Sequence, residues 1–225
     1  MLNPGCLPLA LVLFLLFLLP FFFAQLLLTA LSKLGLNPYV ALLVVLGIIL
    51  GGAINIPVRK IPRSDLYIVD PFAVFGVGRI FPSVRRSYRY TVIAVNVGGC
   101  IVPSAMALYQ CFRVAALGPA AIAVLVFTTA LNIVVCYKLA RPVSGIGITM
   151  PALIPPLTAA VPSLIFMPDF APPIAFVAGV MGPLVGADLL HLKDISKVAT
   201  GMASIGGAGT FDGIVLGGLI AALLA

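Results

Sequence analysis

The stretch LPLALVLFLLFLLPFFFAQLLLTAL, residues 7–31, runs 25 positions without a charged side chain. As a helix it measures about 37 Å at 1.5 Å per residue, enough to cross a bilayer core of about 30 Å. No basic residue precedes it, and it is longer than the apolar run of a cleaved leader, so it reads as a retained first span. Working outward, apolar runs recur near 38–56, 90–110, 115–138, 147–167, 171–191 and 209–225. Several are interrupted by Gly98-Gly99, Pro151, Pro155-Pro156 and the glycines near 206. The expectation is an all-α, polytopic transmembrane helix bundle of about seven spans, a single integral membrane domain over 1–225, with interrupted helices.

Composition agrees with that reading. Of 225 residues, 62% are hydrophobic and 8% charged, and the mean hydropathy is +1.25, values outside those of an ordinary soluble domain. Seven spans at about 20 residues each take about 140 residues, which excludes a large soluble catalytic domain. The formal charge of +7 sits in the connecting loops and therefore implies no nucleic-acid partner. Eleven basic residues (Arg59, Lys60, Arg63, Arg79, Arg85, Arg86, Arg89, Lys138, Arg141, Lys193 and Lys197) fall on one side, and only Lys33 and Arg113 on the other. By the positive-inside rule the N-terminus is cytoplasmic and the chain is integral to the cell membrane, with the lipid bilayer as its first partner.

The one sizeable loop, 57–90, carries β-branched and aromatic clusters at Tyr67-Ile68-Val69, Phe72 to Val77 and Tyr88 to Val92. They suggest a small cytoplasmic β-ribbon. It would serve as a structural cap, or as a docking edge for an extended peptide or acidic lipid headgroups, since Arg85-Arg86 and Arg89 lie beside Tyr88 and Tyr90.

The chain has six aspartates and no glutamate. Asp65 and Asp70 lie in the basic loop, Asp169 in an outer turn, and Asp194 next to Lys193 at the interface. Asp188 and Asp212 fall within apolar runs, where an ionisable group persists only when buried in protein and used. Asp188 precedes Lys193 by five residues, about 7 Å along a helix. The last run, 209–225, is slightly short for a span, so the glycine-rich 201–209 stretch is expected to dip in from the cytoplasmic side and to line protein or a wet cavity. Both aspartates would then face one another. Two carboxylates in such a cleft share a proton and divide acid and base roles. Three other readings stay open: Asp188 pairs with a basic group, Asp212 caps the last helix at its N-terminus, or His191, three residues from Asp188 on one helical face, joins them as a metal ligand. The cysteines Cys100, Cys111 and Cys136 lack C-x-x-C spacing, so no structural metal or disulfide framework is implied, and no cofactor is called for.

Two resemblances follow. Gly186-Ala187-Asp188-Leu189-Leu190 and Ser204-Ile205-Gly206-Gly207-Ala208-Gly209-Thr210-Phe211-Asp212-Gly213-Ile214, together with Asn96-Val97-Gly98-Gly99, Gly145-Ile146-Gly147-Ile148 and Ile154-Pro155-Pro156, resemble the signature of prokaryotic membrane proteins grouped as domain of unknown function 1614. That likeness, from about residue 38 to the end, implies a multi-span fold and no activity. The motif logic is also similar to presenilin-like and prepilin-peptidase-like intramembrane aspartyl proteases, which set one aspartate in Gly-x-Gly-Asp opposite another and, in presenilins, add Pro-Ala-Leu. Here Pro151-Ala152-Leu153 precedes both aspartates, and neither aspartate follows Gly-x-Gly. The likeness implies Asp188 and Asp212 as catalytic residues, with Pro151, Ala152, Leu153, Gly209 and Gly213 as substrate-binding backbone and a membrane peptide as partner.

Transport competes with hydrolysis. Asn96 beside Gly98-Gly99, the prolines at 151–156 and the 201–209 glycines would line a path for a small ion or solute, with the same aspartates as protonation or cation sites. A non-catalytic membrane scaffold is a third account. An anion-cradling loop over 204–213 is a fourth, although it lacks the Lys-Ser/Thr ending of a P-loop.

Overall fold

A computed structural model describes residues 6–62, 90–143, 147–197 and 201–225. Among the described residues there are seven α-helices: α1 (Cys6–Lys33), α2 (Pro38–Gly51), α3 (Val102–Ala115), α4 (Pro119–Leu139), α5 (Ile154–Phe166), α6 (Ala171–Met181) and α7 (Gly213–Leu224). Two are lengthened by wider, π-helical turns. Val97–Ile101 leads into α3 and Gly182–Leu189 continues α6. The stretches Leu11–Lys33, Val97–Ala115, Pro119–Leu139 and Pro168–Leu189 are long and apolar enough to cross a membrane. α2, α5 and α7 are apolar but have only 14, 13 and 12 residues, about 18–21 Å of helix.

The all-α expectation is corrected by five strands. β1 (Asn55–Pro62) pairs antiparallel with β2 (Tyr90–Asn96), and β2 pairs parallel with β5 (Met202–Ile205), in the order β1-β2-β5. β3 (Arg141–Val143) and β4 (Gly147–Thr149) form a separate hairpin. The runs 38–56 and 90–110, read as wholly helical, therefore give part of their length to strands, and part of the expected 201–209 dip is a strand. The physical reason is that YTVIAVN at 90–96 is as apolar as a helix end but rich in β-branched residues. Hydropathy alone does not separate the two. The two ends of the ribbon expected at 57–90 are strands, residues 57–62 of β1 pairing with 90–94 of β2, and 63–89 lie outside the described residues.

Side-chain caps explain where helices begin. Asn37 accepts from Tyr39 N at 3.0 Å ahead of Pro38, and Asp212 accepts from Ile214 N at 3.0 Å. Small residues explain how they pack. Residues 174–180 of α6 are all buried, and Gly179 of α6 meets Gly217 of α7 main chain to main chain. Gly182 and Gly186 lie flush against Asn132, Ile133 and Cys136 of α4. Close backbone approach through small residues is how helices associate where lipid removes the hydrophobic drive between them.

Two tie points define the ends of the bundle. At one end Lys33 Nζ donates to Leu223 O at 2.7 Å, while Gln110 Nε2, at 3.1 Å, and Arg113 both donate to Leu34 O. At the other, Asn96 is fully buried; its Nδ2 donates to Gly52 O (2.8 Å) and Asn55 Oδ1 (3.1 Å), and its Oδ1 accepts from Gly99 N (2.7 Å). Asn55 Oδ1 also accepts from Ser204 Oγ at 2.5 Å, which binds β5 into the network.

Gly98 touches Ile48 O and Gly52 N so closely that an added methyl has nowhere to go. Gly98→Ala should destabilise the protein by about 1–3 kcal/mol, read as a lowered Tm in detergent. Gly47→Ala, whose Cβ would meet only Val102 Cγ2 at 3.5 Å, should leave Tm nearly unchanged. Asn96→Asp replaces two donated bonds by a carboxylate facing two acceptors, and a loss of about 1–3 kcal/mol or more is expected in the same measurement; an unchanged Tm would show that the network carries no stability.

Candidate functional site

Beside the sheet lies a cavity of about 390 Å³. One wall is strand β5, all four of whose residues line it, followed by the tight turn Gly206, Gly207 and Ala208. Gly206 has φ +73° and packs against the backbone of Gly99 and Cys100, a conformation and a clearance that suit glycine. Gly147 and Ile148 of β4 and Ile195 also line it. Among the described residues its two ionisable groups are Asp188 and Asp212, and no lysine, arginine or histidine lines it.

Asp188 is carried by the π-helical turn Gly182–Leu189 and is half-buried. Insertions of this type frequently mark functional positions because they aim a side chain that regular helix would turn elsewhere. The carboxylate has no hydrogen-bond partner among the described residues and lies within electrostatic reach of Asp212. Asp212 is fixed more firmly. Its Oδ1 takes Ile214 N and its Oδ2 takes Ala208 N at 3.3 Å, so the side chain both caps α7 and closes the 208–212 turn. Capping and cavity lining are thus combined in one residue.

The other sequence candidates are distributed as follows. Gly213 opens α7 beside the cavity, where its Cβ would meet Met150 Cε at 3.0 Å. Gly209, with φ +60°, is buried against Gly52 behind the turn. Pro151, Ala152 and Leu153 form an exposed turn before α5, Leu153 being 64% exposed, and none of the three lines the cavity. His191 does not line the cavity: Nδ1 lies 3.1 Å from Gly186 O, and the ring lies tilted by 36° against Tyr137 with centroids 4.9 Å apart. Among the described residues no group of three metal-ligating side chains gathers. Asp169 is exposed in the Pro168–Phe170 turn, while Asp65 and Asp70 lie outside the described residues.

Sequence reasoning read 201–209 as an irregular cavity-lining stretch and missed that 202–205 is a strand, and it missed β4 as a lining element. Four residues, MASI, carry no usable period, and the only signal was the Gly-Gly-Ala-Gly run that follows them.

No curated protein and no solved structure matches the chain, so no comparison links it to intramembrane aspartyl proteases. A family model described as a protein of unknown function (DUF1614) matches residues 49–224. That span contains both aspartates, the glycine turn and every strand, and on it the chain belongs to the DUF1614 family.

Proposed function

We propose that the chain is a membrane-integral hydrolase of peptide bonds whose reacting groups are Asp188 and Asp212. The observation that carries this reading is the placement of two carboxylates on one cavity that no cationic side chain lines among the described residues. In this reading the two carboxylates hold one proton between them, so that one serves as base and the other as acid. The ionised carboxylate takes a proton from water as its oxygen adds to the peptide carbonyl carbon, and the protonated carboxyl gives its proton to the carbonyl oxygen. Collapse of the resulting gem-diol returns one proton to the amide nitrogen, the C–N bond breaks, and an acid and an amine leave. Water is the sole co-reactant.

The setting is seven crossings with the N-terminus in the cytoplasm and the cavity opening toward the cytoplasmic face of the cell membrane. Support comes from the helix order and from Lys33 and Arg113, which share the end of the bundle remote from the cavity. The shorter α2, α5 and α7 would complete their crossings through the non-helical segments at their ends, covered there by protein. A transporter would use the same carboxylates as proton or cation sites, and the interrupted helix at Gly182–Leu189 is the observation that favours it.

Purified protein in lipid vesicles, supplied with a fluorogenic apolar peptide, should release product. Asp188→Asn and Asp212→Asn should each lower turnover about a hundred- to ten-thousand-fold with helix content unchanged, because asparagine retains both shape and, at 212, the cap. Turnover retained in either variant removes the hydrolase reading, and ion flux without peptide product replaces it by transport.

A further inference from the structure

β5 is an edge strand, and its ladder shows which of its main-chain groups are spare. Val92 N donates to Gly201 O at 3.1 Å, and Val92 pairs with Met202 in the parallel register. In a parallel pair alternate residues turn both their N–H and C=O to the same neighbour. Ala203 and Ile205 therefore face β2, while Met202 and Ser204 turn their main-chain groups to the open side. Ser204 O is taken by Gly207 N at 3.1 Å. The N–H and C=O of Met202 and the N–H of Ser204 are left outward with no main-chain partner among the described residues. The cavity lies along this strand and is lined as well by Gly147 and Ile148 of β4, which among the described residues pairs with β3.

We infer that β5 takes the substrate as an added strand. An uncharged, apolar peptide segment in extended conformation hydrogen-bonds along Met202 and Ser204 and lays a main-chain carbonyl across Asp188 and Asp212. The occupant follows from the chemistry of the walls. Spare N–H and C=O groups along an edge strand are a template for main-chain partners, which a lipid tail lacks and a helix has already used on itself. Strand addition supplies them in alternation. Ile148, Ile195, Met202 and Ile205 offer apolar contact, and the two carboxylates disfavour an acidic segment. The cleavage in this picture rests on the hydrolase reading; the docking does not.

The test uses the full chain in lipid nanodiscs, as Asp188→Asn so that peptide is not consumed. The probe is a fluorescent valine- and alanine-rich peptide of about ten residues, with two versions N-methylated at alternate residues in opposite phases and a helical isomer containing α-aminoisobutyric acid. The parent peptide should bind, with one methylated phase and the helical isomer weaker by about tenfold or more and the other phase nearly unaffected. Met202→Pro, which removes an N–H the ladder does not use, should weaken the parent peptide similarly while Met202→Leu does not. Equal affinity of both phases, or tight binding of the helical isomer, overturns the inference on protein whose β5 is intact. Phase-dependent binding without cleavage by the unaltered protein keeps strand addition and removes hydrolysis. Cleavage with phase-independent binding does the reverse.

Discussion

The constraint on which the site depends is the contact of main chain with main chain at glycine. The turn Val97–Ile101 is wedged between the end of α2, through Gly98 on Ile48, Gly51 and Gly52, and the 206–209 turn, through Gly99 on Gly206. No side chain intervenes at either contact. β2 is thereby held against the membrane-facing helices, β5 is held against β2, and the turn after β5 delivers Asp212 to the start of α7. Asn96 completes the arrangement by binding three segments at once, and its burial makes those bonds obligatory rather than optional.

The consequence for chemistry is a division of labour between two carboxylates that reach the cavity by different routes. Asp212 is immobilised by the backbone it caps, so its position is set by the turn. Asp188 hangs from a widened helical turn whose inner face is pressed on α4 through Gly182 and Gly186. Preorganised groups of this kind are what a hydrolytic site needs, since a carboxylate that must first be ordered contributes less in the transition state. The same rigidity would suit a binding site for an ion, and so the identity of the mobile species, water or cation, separates the two accounts.

Much of this was legible in the sequence, and the residues show why the rest was not. Charge-free runs revealed the helices because every one of them must face lipid or another apolar helix. Asp188 and Asp212 stood out because carboxylates in such runs are rare. The helix cap at Asp212 was also legible, as one of two readings that the structure unites in one side chain. The start of β2 was legible in the Tyr88 to Val92 cluster, but its continuation was hidden because Val92 to Val95 is apolar throughout, and in a chain this rich in hydrophobic residues the contrast that normally distinguishes strand from helix is lost. β5 was hidden by its length and by its partner, since nothing local to Met202 announces Val92. Pro151-Ala152-Leu153 attracted notice as a motif, yet its turn is exposed and apart from the cavity, which is what a short match in a chain rich in those three residues readily gives.

The parallel pairing of Val92 with Met202 joins positions 110 residues apart. Synthesis proceeds from the N-terminus, so β2 and then α3 to α6 are made before β5 exists. Throughout that interval one edge of β2 has no strand beside it, and Asp188 has no Asp212 opposite. The cavity is therefore completed only after six of the seven described helices have been made, and a nascent chain arrested before residue 202 would hold Asp188 without the strand and the second carboxylate that line the cavity with it.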